Sequence, residues 1–240
     1  LRVRTDMAAA FLEIRDLHAW YGESHVLHGV NFDVREGEVV TLLGRNGAGR
    51  TSTLRSVMGL IGTRKGSIRV HGKETIAAAT HAIARLGIGY CPEERGIFSS
   101  LSAQENLMLP PVLAKGGMDI DEIYAMFPNL RERAQSQGTR LSGGEQQMLA
   151  VARILRTGAR LLLLDEMSEG LAPVIVQKLA EMVKMLRAQG YTIVMVEQNF
   201  RFAAPLADRF MVMEHGEIQQ EFTHAELPGR LEQLHAYLGV

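Results

Sequence analysis

One cysteine, Cys91, occurs in 240 residues, so no internal disulfide can form and a packed core has to hold the fold. Such sparse cysteine fits a reducing compartment. Long apolar runs are also missing. A membrane-crossing helix needs about 20 consecutive apolar residues, whereas the most apolar run, Leu161–Leu164, stops at Asp165. If this chain works at a membrane, other chains must hold it there as a peripheral subunit. Charge of one sign is not in excess: 26 Lys and Arg face 27 Asp and Glu. No basic stripe stands out either, which argues against a nucleic-acid partner.

Other absences narrow the reading further. There is no internal repeat and no low-complexity linker. The N-terminus carries Arg2, Arg4 and Asp6 before a short run from Met7 to Leu12, too short and too weak for a secretory signal. Met7 reads as an alternative start. The eight histidines show no metal-ligand spacing; His25 and His28 are the closest pair, and all eight read as surface or packing residues. The twelve methionines read as core filling. What remains is ordinary for a globular protein: 46% hydrophobic and 22% charged residues, with length enough to bury a core.

Periodicity then divides the chain. Phe11–Arg15 and Val26–Val34 alternate apolar and polar positions as strands do. Gly37–Leu43 is a nearly continuous apolar strand of the kind covered on both faces, followed by a glycine-rich turn and a helix over about Gly49–Met58. Gly66–His71 and Gly87–Cys91 read as strands, and Ala103–Leu109 as a short helix capped by Ser102. From Met118 to about Arg156 the pattern is helical. Strands at Arg160–Leu164, Tyr191–Val196 and Arg209–Met213 then alternate with helices at Pro173–Gln189 and Phe200–Leu206. That alternation predicts a largely parallel sheet covered by helices, with a helical lobe inserted at roughly 92–158.

Three segments carry chemistry. Gly44-Arg45-Asn46-Gly47-Ala48-Gly49-Arg50-Thr51-Ser52 matches a phosphate-binding loop, except that Arg50 stands where that pattern has lysine. Its glycines let backbone N–H groups converge on phosphate oxygens, and the following helix aims its positive end at the same place. Thr51 can place a hydroxyl on Mg²⁺. Leu161–Leu164 then delivers Asp165 and Glu166 at a strand's C-terminal end, where ligands sit in open α/β sheets. Asp165 suits an Mg²⁺-holding role, and Glu166 suits orientation and deprotonation of an attacking water. The third segment, Leu141-Ser142-Gly143-Gly144-Glu145-Gln146-Gln147, offers a second anion-binding helix start at Ser142, Gly143 and Gly144. One nucleotide site has no use for two such starts. A head-to-tail dimer does, because each chain's copy can close over the ATP held by the other.

With these three segments the chain resembles the ABC ATPase family from about Phe11 to Val240. The resemblance implies an α/β fold: a P-loop NTPase (ABC ATPase) core with a mainly parallel sheet, an N-terminal antiparallel β part and an inserted helical lobe. The implied domain is a single one over 7–240, with its core at about 7–91 and 159–240 and its lobe at about 92–158. It also assigns roles. Tyr21 matches the aromatic residue that stacks on adenine. Glu93 lies where the family usually has the glutamine that senses Mg²⁺ and the membrane subunits. Gln198 lies where it usually has a histidine contacting the γ-phosphate, and Ser168–Ala172 occupy its D-loop. Met167 replaces the usual proline after the catalytic glutamate.

Pro92-Glu93, Gly170-Leu171-Ala172-Pro173 and Val196-Glu197-Gln198-Asn199 are similar to the LivF-type branch, and so are the terminal Leu238, Gly239 and Val240. That branch implies an ATP- and Mg²⁺-dependent ATPase powering import of branched-chain or other hydrophobic amino acids. Its expected partners are integral-membrane permease subunits, a second ATPase subunit and, through the complex, an extracytoplasmic solute-binding protein. Its expected place is the cytoplasmic face of the inner membrane. Two alternatives stand beside it: a nucleotide-binding regulator with weak hydrolysis, which Arg50 would suit, and a soluble ABC ATPase outside transport. The stretch from Glu93 to about Leu109, with Gly96, Ile97, Phe98, Leu101 and Leu107, is the expected surface for a permease helix.

Overall fold

The computed structural model describes residues 10–238. Met7, residues 1–6 and the terminal Gly239 and Val240 lie outside the described residues.

The chain opens on two long strands, β1 (Ala10–Tyr21) and β2 (Ser24–Arg35), then β3 (Val39–Leu43) and helix α1 (Arg50–Val57). Next come β4 (Thr63–Val70), β5 (Lys73–Glu74), α2 (Thr80–Ala84) and β6 (Ile88–Cys91). The helical middle holds α3 (Ala103–Met108), α4 (Ile120–Met126), α5 (Pro128–Glu132), a 3₁₀ turn at Gly138–Arg140, and α6 (Gly143–Arg156). The last part alternates as β7 (Leu161–Asp165), α7 (Pro173–Ala188), β8 (Thr192–Glu197), α8 (Phe200–Ala203) and β9 (Arg209–Glu214). It ends with β10 (Glu217–Thr223), a 3₁₀ segment at His224–Arg230 and α9 (Leu231–Leu238).

Two sheets result. β2, β1, β4 and β5 form an antiparallel sheet, and a second sheet runs β10-β9-β3-β8-β7-β6. Its five strands from β9 to β6 are parallel, with β10 antiparallel at the edge. Period-two alternation divides each buried strand between two cores. Leu162, Leu164, Ile193 and Met195 face a core shared with α6 and α7. Leu161, Leu163, Val194 and Val196 face the other, where Leu54 and Val57 of α1 pack against Leu12, Ile14 and Leu27 of the antiparallel sheet. Because both faces are covered, β7 and β8 read as unbroken apolar runs.

Several expected boundaries need correction. β1 runs on to Tyr21, well beyond the segment whose alternation is visible, whereas β2 adds only Ser24, His25 and Arg35. The register of β1 on β2 shifts between Ile14 and Leu17, beside Asp16 at φ 49°, and such a bulge breaks the period of two. The helical stretch from Met118 to Arg156 is divided into α4, α5, the 3₁₀ turn and α6. Ser102, Asp119 and Ser142 each cap a helix start through a reciprocal capping box with Glu105, Glu122 and Glu145, so each new cap begins a new helix. α8 ends at Ala203, short of the expected Leu206. The Lys73–Glu74 strand, α2, β10 and α9 went unread.

The turn between β9 and β10 fastens the two sheets to the phosphate loop. The Gly216 N–H donates to Ala48 O at 2.9 Å, and the His28 N–H donates to Gly216 O at 2.9 Å. Gly216 has φ +78°, and a Cβ there would meet Val26 O at 2.5 Å, so both backbone conformation and space exclude a side chain. Gly216→Ala should destabilise the fold by about 2–4 kcal/mol, read as a lower urea midpoint; an unchanged midpoint would remove this junction from the account.

Candidate functional site

Five parallel strands place their C-terminal ends side by side, and the turns leaving β3, β6, β7 and β9 converge on one cavity of about 540 Å³. This is where an open α/β sheet leaves room for a ligand. Asn46, Gly47, Ala48, Gly49, Arg50, Thr51 and Ser52 line it from the loop after β3, Glu93 from the loop after β6, and Glu166 and Glu169 from the turn after β7. Loop and acidic strand, 114 residues apart, meet directly: Thr51 Oγ1 donates to Asp165 Oδ1 at 2.9 Å. The Tyr90 hydroxyl of β6 donates to the other oxygen, Oδ2, at 2.9 Å. Asp165 is fully buried; burial raises its pKa, and the Thr51 and Tyr90 hydrogen bonds oppose the rise.

Arg50 makes the shortest contact in the site. Its Nη2 donates to Glu166 Oε1 at 2.6 Å and to Asn46 Oδ1 at 3.2 Å. Arg50 and Glu166 leave only 3% and 9% of their side chains exposed. The other guanidinium nitrogen, Nη1, is buried with no acceptor. A buried donor without a partner is costly, and this one lies on a loop whose backbone geometry suits phosphate. An anionic ligand would satisfy it, so the residues present fit a phosphate group.

Glu166 itself stands at φ 47°, a conformation uncommon outside glycine and found at functional turns. Its N–H is held by Val196 O of the neighbouring strand at 2.9 Å. Burial, and then the Glu169 and Glu93 carboxylates, push its pKa up to about 8 against the pull of Arg50. Carboxylate oxygens of Glu93, Glu166 and Glu169 lie within 4.8 Å of one another. A carboxylate with raised proton affinity beside a phosphate-shaped loop can act as a general base. Thr51 and Asp165, a hydroxyl and a carboxylate already in contact, are hard oxygen donors that fit Mg²⁺.

Other expected residues fall elsewhere. Gln198 lines an adjoining cavity of about 260 Å³ with Glu166, Ser168, Glu169, Gly170, Glu197 and Asn199. Arg45 turns away from the main cavity; its Nε donates to Tyr237 O at 3.0 Å. Gly44 lies at the end of β3, packed against Met213 O. Ser142, Gly143 and Gly144 start α6 but do not line the phosphate-loop cavity of their own chain. Tyr21 is 44% exposed at the β1–β2 turn, interacts with Arg55, and does not line the cavity. In its place the wall carries His25, Val26, His28, His215 and Gly216. Three of the eight histidines thus line the cavity, a placement their spacing did not announce. Glu169 and Tyr90 were also missed; only the three-dimensional fold brings them to the site.

The model of the family described as "ABC transporter" matches residues 27–169. The chain is 40% identical over 231 residues to the high-affinity branched-chain amino acid transport ATP-binding protein BraG of Pseudomonas aeruginosa, covering 95% of this chain and 99% of that one. It is 32% identical to the probable branched-chain amino acid transport ATP-binding protein LivF of Archaeoglobus fulgidus, covering 88% and 91%. It is 31% identical to the lipopolysaccharide export system ATP-binding protein LptB of Escherichia coli K12, covering 96% and 98%. A solved ATP-binding subunit of an ABC transporter superposes with a TM-score of 0.79 at 26% identity over 96% of this chain and 100% of that chain. A dimeric cassette bound to ADP and Pi shares the fold, with a TM-score of 0.78 at 23% identity over 89% and 98%.

Glu197, at the end of β8, supplies a check independent of activity. It is buried and accepts from Ser168 N at 3.2 Å and Ser168 Oγ at 2.8 Å, and burial pushes its pKa up to about 7. The folded chain therefore keeps a proton that the unfolded chain, with a glutamate near 4.3, has released. That contribution to stability is fully present below the unfolded value and is lost as pH rises through about 7. Glu197→Gln, which keeps one acceptor for Ser168 N, should flatten the decline of Tm between pH 5 and pH 8. An equally steep decline in the variant would assign the titration elsewhere.

Proposed function

Because the chain belongs to the ABC transporter family, we propose that it is the ATP-hydrolysing subunit of an importer for branched-chain or other hydrophobic amino acids. The observation that carries the ATPase part is the meeting of Arg50 with Glu166 and of Thr51 with Asp165 at the ends of parallel strands. The likeness to BraG along nearly the whole of both chains supports the importer and its solute class.

In this reading the backbone N–H groups of Asn46–Ser52 hold the phosphates, and Arg50 trades Glu166 for the γ-phosphate. Thr51 and Asp165 hold Mg²⁺, which supplies charge neutralisation to the phosphates. Glu166, released from Arg50, orients the attacking water and takes its proton. Gln198 faces that water from the adjoining cavity. Ser142, Gly143 and Gly144 serve the partner's nucleotide in a head-to-tail dimer; their distance from this chain's own cavity supports that role.

Among the described residues no helix is long and apolar enough to cross a membrane, so motion must pass to permease subunits through a surface. The loop after β6 provides one. Of the apolar groups expected there, Phe98 is exposed and Leu101 half-buried, whereas Leu107 is buried and Ile97 packs on the core; Met108, Leu109 and Val112 are the further exposed apolar groups, near a cleft of about 170 Å³ that includes Pro92, Arg95, Gly96 and Arg153. This is the surface proposed for a permease helix, with the solute-binding protein joining through the permease. The regulator reading draws on the same Arg50–Glu166 pair, which restrains the base until nucleotide arrives. Turnover in the assembled complex separates the two.

Glu166→Gln should retain Mg-ATP binding and lose hydrolysis by at least about 100-fold, within the usual reach of general-base catalysis. Wild-type turnover by Glu166→Gln would remove Glu166 from this role.

A further inference from the structure

The parallel sheet carries a second cavity at its other end. It holds about 560 Å³, close to the size of the phosphate-loop cavity and within the roughly 300–1,000 Å³ usual for small-molecule sites. Its floor is Arg160 and Tyr191, the residues just before β7 and β8. Five residues of strand, about 16 Å, separate Arg160 from Asp165. Met118, Glu122 and Met126 form the wall on the α4 side, and Met185 and Gln189 form the wall at the end of α7.

The lining combines two opposite charges with an apolar surface. Arg160 lies over the Tyr191 ring, with its guanidinium carbon 4.3 Å from the centroid, and its Nη2 donates to Gln189 O at 3.0 Å. Stacking and hydrogen bond hold the fork in place and leave further N–H groups of its five to donate. Glu122 is fixed on the α4 wall, where its Oε2 accepts from the Asp119 N–H at 2.8 Å in the helix cap. Its Oε1 is left for another donor. Arg160 and Glu122 share the cavity, yet no ion pair joins them among the described residues. Opposite charges held apart in one cavity fit a ligand that carries both. Met118, Met126 and Met185 supply the apolar remainder, and thioether side chains adapt to chains of differing shape.

We infer that this cavity binds a free α-amino acid with an apolar side chain, and that its occupancy slows hydrolysis at the far end of the sheet. Arg160 takes the α-carboxylate, which suits its planar fork. Glu122 takes the α-ammonium, and the methionines cover the side chain. The ligand class follows from the lining; its identity with the imported solute rests on the importer reading above. In that reading solute is delivered to the ATPase's own side, so the cavity senses product. Coupling follows from what the walls are tied to. The Leu113 and Ala114 N–H groups donate to Thr157 O at 2.8 and 3.1 Å, and the Met118 N–H donates to Leu155 O at 3.2 Å. The α4 wall is therefore tied to α6, which starts at Ser142. The floor belongs to β7, which ends at Asp165. A ligand held by both restrains one against the other.

The full chain, labelled with ¹³C at its methionine methyl groups, is titrated with L-leucine. The signals of Met118, Met126 and Met185, assigned by substitution, should shift and saturate. L-Leucine amide, which lacks the carboxylate, and 4-methylpentanoate, which lacks the ammonium, should each bind on the order of tenfold more weakly, as loss of a charged hydrogen bond implies. Arg160→Gln should weaken L-leucine to a similar extent and leave the amide unchanged. Glu122→Gln, which keeps the helix cap, should weaken L-leucine and leave 4-methylpentanoate unchanged. Saturating L-leucine should lower Mg-ATP turnover several-fold in the wild type and not in Arg160→Gln. Absence of the shifts, equal affinity for the three compounds, or full L-leucine affinity in either variant would overturn the site. Bound L-leucine with unchanged turnover would overturn the coupling. An assembled complex that imports another class of solute would count against the importer reading and leave the L-leucine binding data standing.

Discussion

The ion pair between Arg50 and Glu166 is the contact on which the account depends. It joins the start of α1 to the turn after β7, with 2.6 Å between Nη2 and Oε1 and both side chains nearly covered. Removing one partner of such a pair leaves an uncompensated charge in a poorly solvated place. The site is built to leave that pair incomplete: Nη1 of Arg50 has no acceptor, and Glu169 and Glu93 crowd Glu166 with like charge. A phosphate group answers both conditions at once. In the proposed reading it would accept from the fork of Arg50 and free the glutamate.

Everything else positions those two side chains. The parallel order β9-β3-β8-β7-β6 puts the phosphate loop two strands from the acidic turn, and Thr51, Asp165 and Tyr90 lock the helix start to β7 and β6. α1 is held between the two sheets by Leu54 and Val57. Gly216 then ties β2 to the loop from the other side. The antiparallel sheet is thus more than a cover, because His25, Val26 and His28 of β2 line the cavity.

The chemistry was legible in the sequence to the extent that it follows the chain. Gly44–Ser52, Asp165 and Glu166 were found because a phosphate loop and a strand-end acidic pair are local patterns. The apolar runs of β3, β7 and β8 announced a covered parallel sheet. What lay across bulges or between distant segments was not legible. A period of two cannot be followed past Asp16, so the second half of β1 was missed. Tyr90 gains its meaning only because β6 lies beside β7.

The central claim is that Arg50 is shared between Glu166 and the nucleotide. A double-mutant cycle on Mg-ATP affinity, using Arg50→Ala, Glu166→Gln and the double variant, measures that sharing directly. The account predicts that Glu166→Gln binds Mg-ATP several-fold more tightly than the wild type, because Arg50 no longer has to leave a carboxylate. The gain should disappear when Arg50 is already alanine. Strictly additive effects, with Glu166→Gln unchanged in affinity in both backgrounds, would contradict it.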